Sequence, residues 1–382
     1  MKIITLNALA LLALSLISCS ANNDIKVDVN NPSLFSRTEI VTLQWSDVEG
    51  KISTFENGFI ILNDKGEEVP YQKLTYGEEK PQELIFQAEV AANETKTFSI
   101  TAGKAQEYAP KAVTTFMPRR KDDISWENDC VSYRMYGPAL EIDAQERLIS
   151  GGIDIWVKNT PKLVTQQWYE DEFNHVSSYH TDNGEGLDYY SVGSTLGCGA
   201  AAPYSDGKLF YVNHNFKKYE ILENGALRTV FRLTYDSYPI ANEESVEETR
   251  TITLDAGSYL NKIVANYKGA YSNIEVGAGF PYYNNEDGTL INCEQGYIAY
   301  GLPEHKKHGV TYIGVIYPQG FNKSDIVDKQ LVGVMSQGKQ NEFTYFAGGG
   351  WSKGGFKTQQ EWFDYIKEYT QRLKEPFTVE IK

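Results

Sequence analysis

Leu227-Arg228-Thr229-Val230-Phe231-Arg232-Leu233-Thr234-Tyr235 alternates with a period of two. Leu227, Phe231, Leu233 and Tyr235 fall on one face and both arginines on the other, which is the pattern of a strand with one buried side. Working outward, residues 249–254, 260–267, 311–317 and 331–335 share its length and β-branched content. Turn signals punctuate the chain at Asn63-Asp64-Lys65-Gly66, Ser205-Asp206-Gly207, Glu223-Asn224-Gly225 and Glu286-Asp287-Gly288. Short strands joined by hairpin turns predict an all-β fold, a large antiparallel β-sandwich over residues 106–382. Four more strands, at 40–45, 59–62, 83–90 and 97–101, predict a small N-terminal β-module over 25–105. The Pro- and charge-containing stretch 109–123 reads as a linker or an arm. One helix is expected at 358–374. Thr358-Gln359-Gln360-Glu361 is a capping-box pattern, Trp362, Ile366, Tyr369 and Leu373 share a face, and Pro376 ends it. Residues 377–381 read as a final strand.

The first 19 residues stand apart from this fold. Lys2 precedes an apolar run at 8–17 that is too short to cross a bilayer, so 1–19 reads as a signal peptide. It ends Leu16-Ile17-Ser18-Cys19, a bacterial lipobox pattern that predicts lipidation of Cys19. The expectation is an exported protein, lipid-anchored to the outer membrane and facing the periplasm or the surface. The formal net charge is −15 and no basic run occurs, which argues against a nucleic-acid partner. Cys130, Cys198 and Cys293 remain, an odd number that permits at most one disulfide. No Cys or His spacing resembles a zinc site, and no cofactor is expected. The chain carries 26 Tyr and 6 Trp, a composition that suits strands and also sugar faces.

Chemistry concentrates in His180-Thr181-Asp182-Asn183-Gly184-Glu185-Gly186-Leu187-Asp188-Tyr189-Tyr190. Gly and Asn make this a tight loop, and it gathers one imidazole, three carboxylates and two phenols. Such a loop is either a solvated acidic turn or a place where protons are moved. Four clusters lie outside it: Arg119 to Asp123 with Trp126 to Asp129; Tyr133 to Tyr136, where alternation puts Arg134 and Tyr136 on one face; Glu294 to Tyr297; and the glycine run 348–355 around Trp351 and Lys353. No Gly-x-Ser-x-Gly elbow is present, which excludes the serine-hydrolase pattern. The glycine run lacks phosphate-loop spacing. A glycosidase needs two carboxylates across a bond, and Asp182, Glu185, Asp188, Glu127 and Glu294 are candidates. Proton abstraction from a uronic sugar needs a cation or amide on its carboxylate and a base at C5, for which Arg134, Asn128, His180 and Tyr136 are the right types. A mutarotase needs one acid and one base, such as His180 and Glu294. Calcium among Asp182, Glu185 and Asp188 suits hard oxygens, although the spacing departs from the twelve-residue calcium loop.

Six stretches carry a resemblance: 122–129, Tyr133-Arg134-Met135-Tyr136-Gly137-Pro138-Ala139, Ser150-Gly151-Gly152-Ile153-Asp154-Ile155-Trp156, the 180–190 loop, 193–199 and Gly350-Trp351-Ser352-Lys353. Together and in order they resemble domain-of-unknown-function family 4861 over essentially the whole mature chain. The resemblance implies a supersandwich related in shape to mutarotases and lyase domains, and handling of uronate-rich, pectin-like oligosaccharides in bacterial polysaccharide-utilisation systems. It points to a carbohydrate-active enzyme of lyase, glycoside hydrolase or epimerase type. The alternative is a non-catalytic glycan-binding lipoprotein. The expected catalytic residues are His180, Glu185, Asp182 and Tyr136. Arg134 and Asn128 are expected on a sugar carboxylate, and Trp126 and Trp351 as stacking walls beside Tyr136. Arg120, Asp188, Tyr189, Glu294 and Lys353 complete the expected sugar-binding set.

Overall fold

The computed structural model describes residues 24–270, 273–336 and 341–382; the leader and Cys19 lie outside the described residues. The opening stretch sits in strand Arg228–Pro239, second in an antiparallel sheet of eight. Its neighbours are Lys218–Glu223 and Ser245–Asp255, and the sheet continues through Leu260–Lys268, Glu342–Trp351, Thr311–Ile316, Tyr297–Gly301 and Thr289–Asn292. Leu227, Phe231, Leu233 and Tyr235 are buried as the period predicts, Arg232 is exposed and Arg228 half-buried. Two five-stranded sheets pack against this one. The first runs Lys208–Leu209, Ala201–Ser205, Glu275–Pro281, Gln330–Met335, Lys323–Val327. The second runs Gly186–Leu187, Asp154–Lys158, Val131–Met135, Asp123–Asn128, Ala112–Met117. Trp126, Tyr133, Ile155, Phe231, Ile263 and Val332 belong to the one core that all three share. The arm expected at 109–123 supplies the edge strand Ala112–Met117.

The N-terminal module has its own core around Val27, Val41, Phe86 and Ile100. Strands 59–62 and 83–90 stand where the sequence places them. The final strand, Thr378–Ile381, returns to this module and pairs with Ile25–Asn30, so the chain crosses between the two modules twice.

Three helices occur among the described residues: α1 (Trp45–Ile52), α2 (Thr165–Phe173) and α3 (Gln359–Lys374). Only α3 is legible in the sequence. Both halves of its capping box form, and Trp362, Phe363 and Ile366 bury against the outer face of the eight-stranded sheet. Gly348, Gly349 and Gly350 of the glycine run lie in the central strand Glu342–Trp351. A Cβ on Gly350 would lie 2.5 Å from the Phe356 ring, and one on Gly349 2.3 Å from the Tyr312 carbonyl, so close packing rather than turning explains them. Cys130, Cys198 and Cys293 are free thiols.

Candidate functional site

The site is built on the second five-stranded sheet. Ile124, Trp126, Val131, Tyr133, Ile155 and Val157 face the shared core. The opposite face carries Asp123, Ser125 and Glu127, then Ser132 and Arg134, then Asp154 and Lys158, all of them buried. Alternation would lead one to expect this polar face in water. Instead α2 and Tyr179 roof it, with Met117, Trp156 and Tyr169 between them. Buried polar groups need partners, and most on this face have one, the exceptions being Asp123 Oδ2, Arg134 Nη1 and Asp154 Oδ1. Glu127 accepts from the Lys158 ammonium at 2.8 Å and from the backbone N–H groups of Val164 and Thr165 at 2.9 and 2.8 Å, so one carboxylate both neutralises a cation and caps α2. Ser132 and Thr165 hydroxyls meet at 2.7 Å.

Arg134 is the centre of this face. It is 4% exposed and stands directly across from Asp154 in the strand register. Its Nε and Nη2 donate to Asp154 Oδ2 at 2.9 and 2.5 Å, and Nη2 also donates to Asp188 Oδ2 at 2.9 Å. Its Nη1 faces Asp123 Oδ2 at 4.0 Å, and neither atom has a hydrogen-bond partner. The guanidinium lies 4.9 Å from the Trp156 ring and 5.1 Å from that of Tyr136. Burial pushes the Asp123 carboxyl up to about 6, against the pull of Arg134 and Arg120. Burial also raises Asp154 and Asp188, with Arg134 opposing. Burial pushes the Tyr136 phenol up as well. The cluster therefore sets three carboxylates against the guanidinium charges of Arg134 and Arg120.

Asp188 reaches Arg134 because the two-residue strand Gly186–Leu187 pairs with Val157 and Lys158. Gly186 has φ +124°, and a Cβ there would lie 2.0 Å from the Val157 carbonyl oxygen, so this pairing requires glycine. The same loop turns His180 outward. Tyr179 stacks on Trp156 at 4.7 Å and accepts from Arg120 Nε at 3.2 Å, which anchors the residue before it. The His180 side chain is 59% exposed. Its Nδ1 lies 2.8 Å from the backbone carbonyl of Asp188, and a carbonyl only accepts, so Nδ1 carries the proton and Nε2 presents a lone pair. The Asp188 carboxylate is 3.7 Å from the same nitrogen. The arrangement holds a base with its tautomer set and a negative charge in place to stabilise the imidazolium that forms when it takes a proton.

The rest of the loop forms a rim. Tyr189 accepts from Thr311 Oγ1 at 2.7 Å, and its ring lies 5.1 Å from His308 and 5.7 Å from His305. The two histidine rings stack at 4.6 Å. Burial and the neighbouring His305 and Lys353 charges hold His308 below the usual imidazole range, with Asp182 opposing. Lys353 lies on the same rim and donates to the Lys307 carbonyl at 2.6 Å.

Several expected roles do not survive this geometry. Arg134 is spent on carboxylates beneath the roof and cannot meet a sugar. Asn128 staples a hairpin: its amide donates to the Asp255 and Ser258 carbonyls at 2.6 and 2.7 Å and accepts from Cys130 and Val131 N–H groups. Trp126 and Trp351 are 1% exposed core residues, bonded to Asn261 and the His308 carbonyl, and cannot be stacking walls. Tyr136 is buried against Arg134. Glu185 pairs with Lys162 at 2.6 Å on the surface, and Asp182 accepts from Gly184 N–H at 2.9 Å, so neither assists His180; Asp188 does. With Asp188 on Arg134, these three carboxylates do not converge on a calcium ion, and among the described residues no group of three His, Cys, Asp or Glu is placed to hold a metal. Glu294 is exposed in the turn between Thr289–Asn292 and Tyr297–Gly301, at the edge of the eight-stranded sheet, where the adjacent Gln295 accepts from Lys374 of α3. Arg120 stays at the roof's edge with Tyr179.

Asp123, Asp154, Trp156, Tyr179, His305 and His308 were missed as site residues. Asp154 had a signal, since it alternates with Trp156 in a stretch already singled out. His305 and His308, three apart in a short hairpin, had one too.

Comparison with known proteins places the chain. The family DUF4861, described as a domain of unknown function, matches residues 29–379. "Uncharacterized protein P7" of Formosa agariphila is 30% identical over 312 residues, 78% of each chain. Two solved structures from Enterococcus faecalis share the fold: a protein in the glycosyl hydrolase family 38 and an alpha-mannosidase, each with a TM-score of 0.55 at 10% identity. They cover 94% of this chain, and this chain spans about half of theirs, 47% and 46%. At such identity the likeness shows the fold alone: an all-β architecture that glycoside hydrolases also carry. On the match across residues 29–379, the chain belongs to the DUF4861 family.

Proposed function

We propose that this protein is an exported, carbohydrate-active lipoprotein that moves a proton on uronic-acid-containing, pectin-like oligosaccharides, with His180 as the acid/base. The observation that carries the reading is the His180 ring itself, with Nδ1 fixed on the Asp188 carbonyl and Nε2 open to solvent. A hydrolase of the paired-carboxylate type needs a second acid across the bond, and Asp182 and Glu185 are engaged elsewhere. That favours proton abstraction, as in a lyase or epimerase, over hydrolysis. With Arg134 and Asn128 committed, and Arg120 held by Tyr179 and Glu146, Lys353 is the cation at the rim offered to a sugar carboxylate. On this reading the leader directs export and Cys19 carries the lipid that anchors the protein to the outer membrane, supported by the Leu16-Ile17-Ser18-Cys19 pattern.

The test is incubation of the purified protein with saturated and unsaturated uronate oligosaccharides, read by mass spectrometry, ultraviolet absorbance and NMR of the anomeric signals. A new double bond identifies a lyase, a gain of water a hydrolase, and anomer or epimer exchange an isomerase. His180→Ala must abolish whichever occurs; unchanged turnover refutes the assignment. A second reading, a non-catalytic glycan-binding lipoprotein, draws support from the openness of the site, since His180 stands on an exposed rim and not in an enclosed pocket. Tight binding of an oligosaccharide that is never altered selects it.

A further inference from the structure

The N-terminal module and the large sandwich meet across a cleft of about 400 Å³, within the range of about 300–1,000 Å³ typical of small-ligand sites, which favour such interfaces. One wall is strand Arg37–Gln44, whose Val41 and Leu43 point into the module's core while Thr38 and Thr42 look outward into the cleft. The other wall is the outer face of Ser245–Asp255 and Leu260–Lys268, closed by Tyr369 of α3. Charge elsewhere in the cleft is paired: Arg228 donates to both oxygens of Asp255, at 2.5 and 2.9 Å, Glu39 lies 3.4 and 3.6 Å from Arg37 and Arg372, and Glu83 accepts from the Tyr76 hydroxyl at 2.6 Å. Lys262 is the exception. Its ammonium lines the cleft and makes no hydrogen bond or ion pair among the described residues. Thr38, Thr42 and Thr253 line it as well, with no side-chain hydrogen bond among the described residues. Tyr76 supplies an aromatic edge and holds φ at +52°, an uncommon conformation for a bulky residue, with its N–H fixed by Glu223 Oε1 at 2.6 Å.

An ammonium, three hydroxyls and aromatic rings in a half-open cleft suit a carboxylated sugar, whose acid the ammonium meets and whose hydroxyls the threonines meet. We infer that this cleft is a second glycan site, separate from His180, which holds an acidic saccharide through Lys262 on its carboxylate and the threonines on its ring hydroxyls. It is a binding site and carries no chemistry. Because its walls come from both modules, and the chain crosses between them beside it at Pro376, an occupant ties the modules together.

The experiment uses the full-length His180→Ala protein, so that turnover does not consume the probe. Trigalacturonate and its carboxyl-reduced neutral counterpart are titrated by calorimetry, and hydrogen exchange locates the contact. The expected result is protection in 38–42, 253–262 and 365–373 by trigalacturonate, with at least about tenfold weaker binding of the neutral trimer. Lys262→Met, an exposed change that breaks no bond, is expected to lose about tenfold in affinity for the acidic probe, and Lys262→Arg to recover most of it. In the wild-type background Lys262→Met leaves turnover at saturating substrate unchanged, which separates this site from the His180 reading. Absence of protection in the cleft, or equal affinity of Lys262→Met and the parent, overturns the proposal.

Discussion

Arg134 and His180 both lean on Asp188, one on its carboxylate and the other on its backbone carbonyl. One is 4% exposed and the other's side chain 59%. The difference separates two jobs that look alike in a sequence. Beneath the roof, charges are matched to one another and hold strand, loop and helix in register. On the rim, the His180 Nε2 keeps its lone pair and faces outward. A sugar can reach the second layer and not the first. The buried layer matters to function because it sets where the carbonyl and carboxylate of Asp188 stand, and thus the tautomer and the charge around His180.

The sharpest way to break this contrast is Arg134→Met. It leaves three carboxylates beneath the roof without their main counter-ion, and removing one partner of a buried ion pair costs about 3–5 kcal/mol. The expected outcome is a large loss of stability in chemical denaturation, with α2 and the 180–190 loop released. Asp188→Asn cuts closer to the rim. It keeps the backbone carbonyl and so the tautomer, but removes the negative charge 3.7 Å from the His180 ring. About a tenfold fall in turnover is expected, and the acid limb of the pH–rate profile should move to lower pH, because the imidazolium loses a stabilising neighbour.

A smaller effect distinguishes the layers by pH. Asp123 is held up to about 6 by burial, above its ordinary value of 3.8. Between these values the folded state keeps a proton that the unfolded state has released, so this group's contribution to stability is full below about 4 and is lost as pH rises through about 6. Asp123→Asn should flatten that part of the stability–pH curve, measured as denaturation midpoints from pH 4 to 7. The smallest effect belongs to Glu185→Gln. Glu185 pairs with an exposed lysine, and such pairs contribute about 0–1 kcal/mol. Stability and turnover should both stay close to wild type, contrary to the catalytic role its place in the loop suggests.

The strands were legible where period two and turn chemistry agreed, as at 227–235, and α3 where a capping box preceded an apolar face. α1 and α2 were not, because neither has a capping side chain of its own. The first turn of α2 is satisfied by Glu127, 37 and 38 residues away in sequence. The place of Gly348 and Gly349 in the strand 342–351 was not legible, because the neighbours that demand glycine there, Tyr259 and Tyr312, are distant in the chain. For the site, the common face of Arg134 and Tyr136 was visible from alternation. That this face is covered was not, since the cover comes from residues 165–179. The 180–190 loop stood out as rich in titratable groups, but which of its carboxylates turns inward depends on the pairing of Gly186 and Leu187 with Lys158 and Val157.

The most direct test of the proposed role of His180 is turnover and stability measured together for His180→Gln on whichever oligosaccharide of the uronate panel the wild-type protein is found to alter. The account predicts a fall of at least about a hundredfold in turnover, the scale of a lost acid/base group, with a denaturation midpoint close to wild type because the ring is exposed. Retained turnover, or a loss of activity matched by a loss of folded protein, would contradict it.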